Sequence, residues 1–134
     1  MIYHRVEYPR YIPAAIQALR AAARAVHEGV LEPELVDLVF QRISQINGCT
    51  FCLDLHGAEL RRAGVEPRKL DTLPGWRHSR FFDARERAAL AWAEALTTLP
   101  SGAPDDAVYD ALKPHFDEAG IATLTAAVAV INAL

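Results

Sequence analysis

Apolar residues recur along most of this chain at intervals of three and four, and alternating apolar–polar runs are scarce, so the pattern predicts helices rather than strands. Ile16, Leu19, Ala23 and Val26 mark a first amphipathic helix from Pro13 to His27, and Gly29 supplies its stop. His27 stands in the last turn, where a cation favours the helix dipole, and that ordinary role accounts for it at this stage. Pro33 suits the first position of a second helix, followed by Leu35, Leu38, Val39, Ile43 and Ile46. Glu34, Asp37, Gln41 and Ser44 form its other stripe, whose ordinary expectation is a solvated face. Asn47-Gly48 breaks this helix and turns the chain into a third, from Cys49 to Ala63, with basic Arg61-Arg62 at its end and Gly64 at a left-handed cap.

A short helical turn from about Arg68 to Leu73 ends at Pro74-Gly75, and WRHSRFF then reads as a loop whose aromatics cover the body of the protein and whose His78 is solvated. Asp83 and Glu86 have the spacing of a capping box opening a fourth long helix, with Ala88, Ala91, Trp92, Ala95 and Leu99 in register. SGAP at 101–104 is a loop, and Pro104 opens a short helix to about Leu112. The last helix runs from about Asp117, with Ile121, Leu124, Val128 and Ile131 in register and few charges opposite. A helix apolar nearly all round needs a central position or a partner subunit, so a homo-oligomer is expected. The expectation is one all-α domain, residues 1–134, of about six to seven helices.

Composition narrows the function classes. A chain of 134 residues with 51% apolar and 23% charged residues is long enough to bury a core without staples. Its net charge of −3 gives no electrostatic reason for nucleic acid or an anionic membrane as partner. The first residues lack the apolar core of a signal peptide, and no apolar run reaches the length of a membrane span, so the expected compartment is the cytoplasm, where thiols are kept reduced.

The chemistry gathers between Asp37 and His56, in DLVFQRISQINGCTFCLDLH. Cys49 and Cys52 are the two cysteines of the chain, and His56 follows the second by one helical turn. If a helix begins at about Asn47 or Gly48, the three residues share a face, because neighbours on a helix lie three and four apart. A thiol there meets unpaired N–H groups and an imidazole, the conditions that favour a thiolate. Other readings of these residues are a structural disulfide, which closes too small a loop to stabilise much; a zinc site, for which three ligands are one short; and two buried thiols, which leave the histidine unexplained. Which cysteine is the nucleophile is open on these grounds. The dipole favours Cys49, whereas His56 at i+4 lies over Cys52 and is within reach of its proton.

SQINGCTFCLDLH, the loop with Trp76 and Arg77, and ERAALAWAEALT together resemble the AhpD-like alkylhydroperoxidases of the carboxymuconolactone decarboxylase superfamily, over about Leu31 to Asn132. The resemblance implies an all-helical fold, assembly as a trimer or hexamer, and reduction of peroxides by the cysteine pair with an external dithiol or protein reductant. It needs no organic cofactor and no metal. It also implies that Cys52 attacks the peroxide, Cys49 resolves the sulfenic acid and His56 belongs to a proton relay. The family's glutamate, twelve residues before the first cysteine, is Asp37 here, shorter by one methylene, so a water bridge toward the site is expected. Relatives that decarboxylate a lactone lack the cysteine pair. A non-enzymatic redox sensor is the alternative reading.

Overall fold

The computed structural model describes residues 5–99 and 102–134. Among them the chain forms α1 (Tyr8–Tyr11), α2 (Pro13–His27), α3 (Pro33–Asn47), α4 (Thr50–Arg62), α5 (Pro67–Asp71), a 3-10 helix (Leu73–His78), α6 (Ala84–Thr98), α7 (Asp106–Asp110) and α8 (Glu118–Ala133). The long helices fall where the apolar spacing predicts them, and no strand occurs among the described residues.

Three boundaries differ from the pattern, each for a local reason. Prolines at the first turn start α1 and α2, and α1 escapes notice because four residues are too few for a period. The short helix near Arg68 does not end in a loop at Pro74-Gly75: a 3-10 turn carries the chain on to His78, with Gly75 off helical geometry inside it. Trp76 and Phe82 anchor the stretch in the core, while His78 is exposed as expected. The short helix before Leu112 starts at Asp106 with Asp105 at its N-cap, so Pro104 precedes it. Ser101 of the expected SGAP loop lies outside the described residues. The capping box of α6 is present in both halves: Glu86 N donates to Asp83 Oδ1 at 2.8 Å and Asp83 N to Glu86 Oε1 at 3.1 Å.

α3 is the central element, packed against α2, α4, α6 and α8. Six successive residues, Leu35 to Phe40, are buried, which no one-sided amphipathic helix would show. Val36, Val39, Ile43, Leu124, Ala127 and Val128 make the main core with residues of α6, and Leu38 joins Leu60, Leu73, Trp76 and Leu90 in a second cluster. Truncating a fully buried side chain such as Leu38 to alanine costs about 2–5 kcal/mol. α8 has its central position: Ile121, Leu124, Val128 and Ile131 face inward, and its outer face is alanine at 122, 126, 129 and 133.

Glu94 ties the two clusters together. Its Oε1 accepts from Arg42 Nε of α3 at 2.7 Å and from Trp76 Nε1 of the 3-10 helix at 2.8 Å, and its Oε2 accepts from Arg77 at 3.1 Å. Burial resists ionisation of this carboxyl, yet the Trp76 and Arg42 bonds and the neighbouring guanidinium charges outweigh it and hold Glu94 below the ordinary glutamate value. A carboxyl lowered in the folded state stabilises the fold above its unfolded pKa, and that contribution is lost as pH falls through the folded value. Glu94→Gln should therefore lower unfolding free energy at pH 7 by about 1–3 kcal/mol, by removing charged hydrogen bonds. Urea titrations should show the deficit shrinking as the wild type is acidified below about pH 4; a deficit that stays constant with pH would contradict this account.

Candidate functional site

The corner between α3 and α4 is set by backbone chemistry. Gly48 ends α3 at φ +64°, in the left-handed region, and a Cβ there would meet nothing within 4 Å. Its glycine is thus required by the turn and not by a close helix crossing. Gly48 N bonds Gln45 O at 3.4 Å and Cys49 N bonds Ser44 O at 3.1 Å, the paired bonds of a Schellman ending. The close approach of α3 and α4 occurs at Gly57, where a Cβ would stand 3.3 Å from Gln41 Nε2.

The turn delivers Cys49 as the N-cap of α4, whose first residue is Thr50 and not Asn47 or Gly48 as the spacing suggested. Its sulfur accepts Cys52 N at 3.3 Å, so one thiol position sits directly on the helix's unpaired N–H groups. Cys49 and Cys52 form a disulfide with Cα atoms 5.3 Å apart. Cys52 is 7% exposed and Cys49 only half-buried, which makes Cys49 the outer sulfur. His56 follows one turn after Cys52, buried, its ring 5.0 Å from that of Phe40 on α3.

The stripe of α3 expected to face water instead faces inward. Asp37 is 7% exposed and Ser44 buried, because α2 and α4 cover that side of the helix; Glu34, one turn before Asp37, alone remains exposed. Asp37 is gripped between two imidazoles. His27 Nε2 donates to its Oδ2 at 3.0 Å, while His56 Nδ1 stands 3.5 Å from its Oδ1. The second approach is too long and poorly aligned for a hydrogen bond, and His56 Nδ1 has no other partner among the described residues. Burial pushes the Asp37 carboxyl up, and the two imidazoles, His56 first and His27 next, pull it further down, so it ionises below the ordinary aspartate value. The shorter side chain nevertheless stands 3.5 Å from His56 Nδ1.

His27, which the sequence pattern assigned to a plain C-terminal cation, stands at the site as the second imidazole on Asp37. The signal was available in the hairpin: α2 ends and α3 begins around the short Glu28–Glu32 connection, so His27 in the last turn of one helix and Asp37 at the second turn of the next come side by side.

A cavity of about 1200 Å³ opens onto these groups. Cys49, Cys52, His56, Asp37 and His27 all line it, with apolar walls from Ile16 of α2, Phe51 and Leu55 of α4, and Ile131 of α8. A smaller cavity of about 340 Å³, lined by Ser44, Asn47 and Asn132, also touches both cysteines. The arrangement can hold a thiolate beside a buried imidazole and pass a pair of electrons through the dithiol–disulfide couple. Among the described residues no group of histidine, cysteine and carboxylate side chains has the arrangement of a metal site.

Comparisons with known proteins agree with this architecture. The uncharacterised Bacillus subtilis protein YdfG is 28% identical over 128 residues, spanning 96% of this chain and 87% of its own. The crystal structure of a protein of unknown function from Agrobacterium tumefaciens, a candidate antioxidant defence protein AhpD, superposes with a TM-score of 0.90 at 34% identity, over 98% of this chain and 90% of that one. The debrominase Bmp8, in complex with 2,3,4-tribromopyrrole, matches with a TM-score of 0.79 over 92% of this chain and 66% of its own, and at 22% identity that likeness is one of fold. The sequence pattern of the carboxymuconolactone decarboxylase family matches residues 10–95, from the start of α2 through α6 and thus across every element of the site, so this chain belongs to that family.

Proposed function

We propose that this protein is a thiol-dependent peroxidase that reduces hydroperoxides at the expense of an external dithiol. The observation that carries the reading is a Cys49–Cys52 disulfide whose inner sulfur shares a cavity with a buried His56–Asp37 pair. In the reduced protein His56 takes the Cys52 proton, and the Asp37 carboxylate favours the imidazolium so formed. The thiolate attacks one peroxide oxygen; the O–O bond breaks, sulfur is oxidised to a sulfenic acid, and the departing oxygen takes up a proton to leave as an alcohol. The Cys49 thiol then attacks the sulfenic sulfur and water leaves, giving the disulfide. A dithiol reductant restores both thiols by attacking Cys49, the more exposed sulfur, so that Cys52 departs as the thiolate beside His56. The apolar cavity suits a peroxide with a hydrocarbon body. The family's lactone chemistry is disfavoured by retention of both cysteines.

Assembly as a homo-oligomer belongs to the same reading. Val6, Tyr8, Phe51, Leu55 and Leu134 are exposed around the cavity mouth, an apolar surface larger than scattered single residues would give. Light scattering at micromolar concentration should give a mass above the 14.8 kDa of one chain, and a clean monomer would remove this part of the proposal.

The reaction is tested by peroxide consumption with a dithiol reductant. Both Cys49→Ser and Cys52→Ser should abolish turnover, and a brief peroxide pulse should leave a sulfenic acid on Cys52 in Cys49→Ser, seen by mass spectrometry with a sulfenic-acid probe, while Cys52→Ser reacts slowly. The opposite trapping pattern reverses the assignment of the two sulfurs. Stoichiometric oxidation without turnover in the wild type would favour a redox sensor. Asp37→Asn should slow Cys52 alkylation by iodoacetamide at neutral pH and cut peroxide turnover by roughly tenfold, less than the 10²–10⁴ that a direct acid–base group contributes; unchanged rates would remove Asp37 from the relay.

A further inference from the structure

Resting on the peroxidase reading, we propose that His27 is a second catalytic acid, which protonates the oxygen that leaves when Cys52 attacks a peroxide. The chemistry of the step creates the need. As sulfur forms its bond to one oxygen, the O–O bond breaks and its electron pair goes to the other oxygen, which departs in line with the attack and so on the side away from the sulfur. An alkoxide leaving there is strongly basic and needs a proton as the bond breaks. His56 is poorly stationed to give it, since it lies on the same helix as Cys52, one turn on, with its Nδ1 edge turned to Asp37.

His27 reaches the same cavity from another wall. α2 and α4 both pack on α3 and both line the cavity, so His27 of α2 and Cys52 of α4 face one space from different sides. Its ring is fixed: Nε2 donates to Asp37 Oδ2 at 3.0 Å, and because an ionised carboxylate only accepts, Nε2 carries a proton. A second proton on this ring therefore sits on Nδ1, away from Asp37. An imidazole held through one nitrogen by a buried carboxylate presents its other nitrogen for proton transfer to a substrate. The His27 side chain is 38% exposed, against 11% for those of Asp37 and His56, so it can recover its proton from cavity water. Among the described residues the other charged groups lining this space are Glu7 before α1, Arg20 and Arg24 on α2, Glu28 just after it and Glu59 on α4; α8 contributes Val130 and Ile131, followed by Leu134, and no charged side chain. His27 is thus the imidazole of the cavity that is both oriented and in reach of water. One carboxylate serves two rings, His56 on Oδ1 for the thiol and His27 on Oδ2 for the leaving oxygen.

The test exploits leaving-group basicity. Reduced wild type and His27→Gln, in which the amide keeps a donor toward Asp37 but carries no transferable proton, are mixed in single turnover with cumene hydroperoxide, which expels an alkoxide, or with peracetic acid, which expels a weakly basic carboxylate. The readout is the ratio of the two second-order rate constants for loss of free thiol. The substitution should lower the cumene hydroperoxide to peracetic acid ratio by about 30-fold or more, on the scale of one acid–base group. A ratio unchanged from the wild type, whether both rates fall together or neither moves, overturns the proposal and leaves His27 with a positioning role only. If the wild type oxidises with neither peroxide, the peroxidase reading itself fails and takes this inference with it.

Discussion

A buried stretch of helix leaves its polar side chains no water to turn to, and much of this structure follows from α3 having such a stretch between Leu35 and Ser44. With α2, α4, α6 and α8 around it, three of its polar side chains turn to partners inside the protein. Ser44 turns its hydroxyl back to Phe40 O at 2.6 Å, Arg42 takes Glu94, and Asp37 takes His27. The same enclosure that forms the core therefore fixes where the reactive groups stand.

The two buried carboxylates show how differently such enclosure can be used. Glu94 is surrounded by fixed cations and an indole N–H, partners that do not change protonation near neutral pH, and the outcome is a permanent tie between α3, α6 and the 3-10 helix. Asp37 is flanked instead by two imidazoles, rings that can either donate or accept a proton. Both acids are held ionised below their ordinary values, but a carboxylate between cations stabilises a fold, whereas one between two histidines can answer to proton movements at a neighbouring thiol. His56 Nδ1, buried and 3.5 Å from Asp37 without a formed bond, leaves that second contact unsettled in the disulfide state.

Much of this was legible in the sequence because it rests on local rules. Helical spacing marked the long elements, Asp83 and Glu86 announced their capping box, and Asn47-Gly48 placed the turn that brings Cys49 to the head of α4. What failed was whatever depends on the third dimension. Periodicity alone reads Asp37 and Ser44 as a wet stripe, because it describes one helix at a time and cannot count its neighbours; it is the resemblance that turns Asp37 toward the cysteines. The 3-10 turn through Pro74 and Gly75 survived a double breaker because Leu73 and Trp76 are fully drawn into the core, a tertiary gain that outweighs local preference. His27 was passed over because its partner lies ten residues away across a hairpin.

The position of the disulfide relative to solvent gives the dithiol its direction. Cys49 caps the helix, meets the N–H groups and stands partly in water; Cys52 is one turn deeper, in the main core beside Val39 and Phe40 and over the larger cavity. A small reductant thiol, which must approach a sulfur in line, finds the outer one accessible, and the smaller cavity by Asn47 and Asn132 widens that approach. A molecule with an apolar body is drawn instead to the cavity walled by Ile16, Phe51 and Leu55. In the proposed cycle Cys52, the inner sulfur beside His56, is both the sulfur that leaves when the disulfide is reduced and the one that next attacks, so the imidazole has no need to move between the two halves.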